Sequence, residues 1–205
     1  MTKLFIIRGS RQSGFYENID STILTPVEEQ KVGRVVGIIE RSGQTASKTY
    51  EYILRHRYDL YAWANKKKGL SGTGFKQHIE SGTGSMVCFA LKESKEVVAK
   101  GIISMINDIS ADSVNKDISS ELWTDNAWVN IWFIEKVVLL RGVYKDQLER
   151  ILRQKLHKPP FSNNPNNTLS WIDDTNASEQ QMQAIIRCLG GMPTIGTEST
   201  ETNGC

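Results

Sequence analysis

The sequence predicts an α+β protein with a mixed or barrel-like sheet, and three observations predict it. Apolar, β-rich runs recur at Lys3–Arg8, Val32–Glu40, Ser85–Leu91, Glu96–Ile106 and Ile131–Leu140. Helical spacing of apolar residues appears in three other places, Ala46–Asn65, Tyr144–Leu156 and Ser178–Leu189. The two kinds of segment are interspersed without regular strand–helix alternation, which argues against a parallel doubly wound sheet.

KLFIIR, residues 3–8, reads as a short buried strand ended by Gly9-Ser10. Residues 11–25 are polar and mixed and read as a loop. VGRVVGIIE, residues 32–40, is rich in β-branched residues and reads as a second strand, closed by Ser42-Gly43. From Ala46 to Asn65, Tyr50, Ile53, Leu54, Arg57, Tyr58 and Tyr61 recur at helical spacing and predict one long helix, ended by Lys66-Lys67-Lys68-Gly69. A doubled SGTG flanks FKQHIE in residues 69–85. Then SMVCFAL and EVVAKGIISMI, separated by a polar turn, predict a β-hairpin. Residues 107–120 are polar and read as a loop.

The stretch 122–140, LWTDNAWVNIWFIEKVVLL, holds three of the five tryptophans. Its second half is nearly continuous in apolar residues and reads as a core strand. Its first half, with Asp125 and Asn126, reads as a turn, so Trp123 and Trp128 are placed on a loop entering that strand. YKDQLERILRQKL predicts a helix stopped by Pro159-Pro160, residues 161–168 a loop, and Ser178 N-caps the last helix. Residues 1–189 are therefore taken as one domain and 190–205, small and polar, as a disordered tail.

Composition excludes more than it identifies. The chain has 205 residues, a net charge of +2 and a pI near 8.4. That balance permits a nucleic-acid partner without requiring one. Cys88, Cys188 and Cys205 are too far apart for a disulfide framework or a metal site, which suggests a reducing, intracellular setting. No run is long enough to span a bilayer. The segment from Gly69 to Lys76 lacks the Gly-Lys-Ser/Thr ending of a phosphate loop, and no G-x-S-x-G is present. His56, His78 and His157 have no partner at ligand spacing. Cys88, inside a strand, reads as a core filler. No catalytic residue, metal site or cofactor is predicted, and the chain is read as a non-enzyme.

What remains is aromatic residues beside positive charge. Trp63 precedes the lysine run, and Trp123 and Trp128 are five apart. Indoles can sandwich a nucleobase, with stacking of about 1–3 kcal/mol per base. The competing reading is that all three fill a core.

The order of these pieces resembles the YTH domain, a member of the PUA-like group that also holds the EVE domains. Leu4–Ser10 is similar to that family's opening strand. Tyr61-Ala62-Trp63-Ala64-Asn65 resembles the segment carrying its first cage tryptophan. Met86–Gly101 is similar to its hairpin, Leu122–Trp128 to the loop with the other cage aromatics, and Ile131–Val137 to its W-I-F-V-K-D-V strand. An insertion near residues 18–44 and alanine at position 64 depart from the pattern. The resemblance implies a PUA-like (YTH/EVE) barrel-like sheet flanked by helices. It also implies a non-catalytic reader of a modified nucleobase, N6-methyladenine first, in RNA or DNA. Trp63, Trp123 and Trp128 would form the cage; Ser10, Ala64 and Asn65 would read the base edge. Arg8, Arg11, Lys66, Lys67 and Lys68 would hold phosphates. The alternatives are the DNA-recognition module of a modification-dependent restriction system, with a nuclease or ATPase partner chain, and a general single-strand RNA binder.

Overall fold

The computed structural model describes residues 3–65, 83–161 and 169–191. These fall into two compact units. One comprises Met1–Tyr16, Gly84–Ile102 and Lys136–Cys205, the other Glu17–Thr83 and Ile103–Glu135.

In the first unit, strand β1 (Leu4–Gly9) is buried along its whole length, Arg8 included, as the apolar run Leu4–Ile7 leads one to expect. It lies between two neighbours. On one side it pairs in parallel with β3 (Met86–Leu91), Leu4 opposite Met86. On the other it pairs antiparallel with β6 (Leu169–Ile172), Leu4 opposite Ile172. β3 also pairs antiparallel with β4 (Val97–Ile106), so the predicted hairpin is present. Its tight turn places Lys95 at φ 61. The strand order is β4-β3-β1-β6, a mixed sheet. Two helices cover one face: α5 (Lys145–Leu152) and α6 (Glu179–Cys188). Leu148, Leu152, Met182 and Ile185 pack on Leu4, Ile6, Met86 and Cys88. Ser178 caps α6 as anticipated, accepting from the Gln181 N–H at 3.2 Å. Burial pushes the Cys88 thiol up to about 12, so it is the core filler the sequence suggested.

Gly9 closes β1 because nothing larger fits. A Cβ there would lie 1.9 Å from Phe15 Cγ at the start of helix α1 (Phe15–Ile19).

In the second unit β2 (Tyr61–Asn65) pairs antiparallel with the opening half of β5 (Asn130–Leu139), Tyr61 opposite Ile134. Three helices supply its core: α2 (Glu29–Arg41), α3 (Lys48–Arg55) and α4 (Asp112–Trp123). Val32, Val35, Ile39, Ile53, Ile118 and Leu122 meet Ala62, Ala64, Ile131 and Phe133.

Four sequence expectations change here. Residues 32–40 are helix, not strand: the buried set Val32, Val35, Ile39 steps by three and four, and that period outweighs β-branched composition. The long helix 46–65 is really α3 followed by β2. Leu54 and Tyr58 are 44% and 74% exposed, so no apolar helical face continues through them. YAWAN instead alternates as a strand against β5. Residues 11–25 are not a loop but a 3-10 turn, α1 and a π-helical segment, Asp20–Leu24. Finally, most of the expected loop 107–120 is α4. Its buried face includes Asn115 and Ser119, which are polar but bonded. Asn115 Nδ2 donates to the Ile109 carbonyl at 2.8 Å, and its Oδ1 accepts from Asn107 Nδ2 at 2.7 Å. The first SGTG, the FKQHIE piece, Ser81-Gly82 and the tail from 192 lie outside the described residues.

Candidate nucleic-acid interface

β2 and β5 pair so that Trp63 stands opposite Trp132 and Asn65 opposite Asn130. Strand alternation sends Ala62 and Ala64 into the helical core and places Trp63 on the other face of the strand. Directly paired residues share a face, so Trp132 accompanies Trp63. Asn65 ties the end of the pair: its Oδ1 accepts from Trp132 Nε1 at 3.2 Å and its backbone carbonyl from Asn130 Nδ2 at 3.2 Å.

Trp128 meets Trp63 edge-on, with ring centroids 6.1 Å apart and planes at 65°. Edge-to-face pairs of this kind contribute about 0.5–1.5 kcal/mol beyond area burial. The Trp128 loop is held by one carboxylate. Asp125 Oδ1 accepts from the Ala127 N–H at 2.9 Å, and Oδ2 from Trp128 Nε1 at 2.9 Å. Ser119 on α4 adds a second tie: its hydroxyl donates to the Asp125 carbonyl at 2.5 Å and accepts from the Trp128 N–H at 3.2 Å. Asp125 and Ser119 are the residues that sequence reasoning missed as positioning groups. The D-x-A spacing of an Asx turn carried a signal for the first; nothing marked the second.

The structure therefore joins Trp63 and Trp128 ring to ring, whereas Trp123 lies inside the helical core against which Trp128 also packs. Trp123 is not on a loop; it is the last residue of α4, with Thr124 capping at φ 56. The helical phase of Val114, Ile118 and Leu122 carries its indole into the unit's core. There it is 5% exposed and donates to Thr22 Oγ1 at 3.3 Å. Trp63, at 2%, is also buried, and Trp128 is half-buried.

The remaining predicted contacts divide similarly. Ala64 is buried in the core and Asn65 is bonded as above. Ser10 belongs to the first unit, where its carbonyl accepts from the Ser13 N–H and hydroxyl, at 3.1 and 2.8 Å. Arg8 is not a surface cation. It is 6% exposed, its Nη2 donates to Ser170 Oγ at 3.2 Å, and burial lowers its pKa against the opposing pull of Glu149. A buried arginine on a fully buried strand serves the core rather than an incoming phosphate. Arg11 is exposed, with its guanidinium 5.2 Å from the Tyr16 ring and its N–H bonded to Glu93 at 3.1 Å. Lys66, Lys67 and Lys68 lie outside the described residues.

One polar cluster in the second unit has the makings of acid–base chemistry. Tyr52 Oη lies 2.6 Å from Ser104 Oγ and 3.1 Å from Glu135, whose Oε1 is 3.4 Å from His56 Nε2. Burial raises the Tyr52 pKa, so the phenol stays neutral; it stacks on His56 at 4.4 Å and ties α3 to the sheet. Among the described residues no group of three or more His, Cys, Asp or Glu is placed to hold a metal ion. No described helix is long and apolar enough to cross a membrane.

No family model matches the chain, and no curated protein sequence matches it. A solved structure does: the N-terminal domain of Thermococcus gammatolerans McrB bound to m5C DNA. The match has a TM-score of 0.57 at 17% identity and covers 92% of this chain and 98% of that one. At that identity the likeness is one of fold. The fold class is the one the sequence predicted, α+β with a mixed sheet.

Proposed function

We propose that this chain is a non-catalytic reader of a modified base in DNA, the recognition module of a modification-dependent restriction system. The observation that carries the reading is the fold shared over nearly the whole of both chains with a domain bound to m5C DNA. In this reading residues 1–189 act as one recognition domain, and cleavage belongs to a nuclease or ATPase partner chain. The YTH resemblance favours N6-methyladenine as the base, and the neighbouring structure sets 5-methylcytosine beside it. RNA, the other substrate of YTH-like readers, is the less favoured polymer.

Trp128 is the wall that a flipped base would meet. It is half-buried, its N–H edge is anchored by Asp125, and Trp63 supports it from behind. Stacking on such an indole is worth about 1–3 kcal/mol. A methyl group adds about 0.8 kcal/mol of buried apolar surface, close to a fourfold preference. Trp63 and Asn65 shape this end of β2; Trp123 supports it through the core. The phosphate contacts of Arg11 and Lys66–Lys68 belong to the same proposal.

The test compares duplexes carrying N6-methyladenine, 5-methylcytosine or no modification, with matching single-stranded RNA, at one fixed salt concentration, since affinity without stated salt means little. The expected result is a preference of about fourfold or more for one methylated DNA, lost in Trp128→Ala. Equal affinity for all the DNAs would end the modified-base reading.

A further inference from the structure

The segment Arg141–Lys158 carries six Lys or Arg against two acids, a net of +4 where the whole chain has +2. The rest of the chain is thus slightly acidic, and the basic surplus is concentrated on α5 and the turn that follows it. There an open groove of about 740 Å³ is lined by Asp146, Glu149, Arg150, Arg153, Gln154 and Lys155.

Both acids in the groove are already neutralised. Glu149, almost fully buried, takes Lys145 at 2.7 Å, Lys155 at 2.9 Å and the Leu156 N–H at 3.0 Å. Burial opposes its ionisation, but these donors outweigh that and hold the carboxyl below the usual range. Asp146 takes Lys95 at 2.8 Å. Arg150 and Arg153 are exposed and have no ion pair among the described residues. They are three apart, so both guanidiniums can reach one side of the helix end. His157 nearby is held below its ordinary value by burial and by the field of Lys145, Arg8 and Lys158.

Arg153 itself is telling. It caps α5 at φ 55, a left-handed position where glycine or asparagine is the low-strain choice. A second groove of about 440 Å³ shares Arg153 and continues along Ser178 and Gln181 at the first turn of α6. The two grooves meeting at one arginine make an elongated track rather than a point site. Planar guanidinium forks match phosphate oxygens bidentately.

We propose that this track on α5 and α6 binds the phosphate backbone of a nucleic acid, independently of base identity. The proposal adds a surface to the reader described above and rests on its nucleic-acid partner, not on its methyl preference. The test uses the full chain, methylated and unmethylated duplexes, and a salt series. The Arg150→Gln/Arg153→Gln double variant is expected to bind both duplexes more weakly by the same factor. The slope of log affinity against log salt should fall in magnitude by about two, and the methyl preference should be unchanged. Arg55→Gln, a single exposed cation on α3, is the control and should leave the slope nearly as it was. An unchanged slope in the double variant overturns the proposal, as does an equal loss per charge in Arg55→Gln. Displacement of the duplex by polyglutamate at equal charge concentration would assign the track to an acidic protein and overturn it too. If wild type shows no methyl preference while the double variant still loses slope, the base reading fails and the track stands.

Discussion

Replacing Asp125 by alanine removes two acceptors at once, those of the Ala127 N–H and of Trp128 Nε1, each at 2.9 Å. Buried hydrogen bonds to a charged group are worth about 1.5–3 kcal/mol. This loop is only half-buried, so about 1 kcal/mol each is the reasonable figure, about 2 kcal/mol together. In a chain of this size that lowers Tm by about 4–8 °C. Binding should suffer separately. On the proposed reading, an indole no longer held must be ordered when a base arrives, at about 1 kcal/mol, which is about fivefold in affinity for the methylated duplex. Asp125→Asn keeps a single side-chain oxygen acceptor and should fall between wild type and alanine in both measurements. Thermal melting followed by near-ultraviolet circular dichroism, with fluorescence anisotropy at fixed salt, reads the two effects. An Asp125→Ala protein with the wild-type Tm and an undiminished methyl preference would refute the claim that this carboxylate positions Trp128.

Two further outcomes follow from the first unit. Gly9→Ala drives a methyl group into Phe15 at 1.9 Å and should cost about 2 kcal/mol by overpacking, seen as a lower Tm that Phe15→Leu partly restores. Glu149→Gln should lower Tm at neutral pH by about 4–8 °C, because the Lys145 and Lys155 pairs are lost while Lys155 remains largely solvated. The folded carboxyl is depressed, so its contribution is complete above the ordinary glutamate range and disappears as pH falls through it. The gap between wild type and variant should therefore close as pH falls from the ordinary glutamate range through the lower value of the folded carboxyl, and a gap of constant size would contradict the assignment.

Strands β1, β3 and β5 were legible because their apolar runs are nearly continuous, whereas the four-residue β6 was not read from the sequence. KLFIIR, SMVCFAL and the Trp132 segment each fall within a residue or two of the observed strand. The helix α2 was not, because Val35, Val36, Ile38 and Ile39 signal strand by composition while their burial follows the helical period. α4 was hidden for the opposite reason. Its inward face contains Asn115 and Ser119, and a polar residue satisfied by a partner that the sequence cannot show looks solvent-facing. The junction between α3 and β2 failed because Tyr61 continues the helical spacing of Tyr50 and Ile53 by coincidence. Only the β5 partner decides that YAWAN is extended.

The same ambiguity governed the tryptophans. Counting indoles beside cations identifies material for a base-binding wall but not which way each ring points, and direction is set by the element. Trp63 is turned by strand parity, and Trp128 is reached by a loop pinned through Asp125. Trp123, five residues earlier, is carried inward by one more turn of α4. Had residues 107–120 been loop, Trp123 would have been as free as Trp128 to face a ligand. The misread helix and the misplaced cage residue are thus one error, and the buried Thr22 that accepts from the Trp123 indole is its structural signature. Replacing Thr22 with valine should then leave methyl preference untouched while lowering Tm by about 4–8 °C, the loss of two hydrogen bonds, one from Trp123 Nε1 and one to the Asn18 carbonyl, worth about 1 kcal/mol each. A change in preference without a change in Tm would return Trp123 to the binding surface.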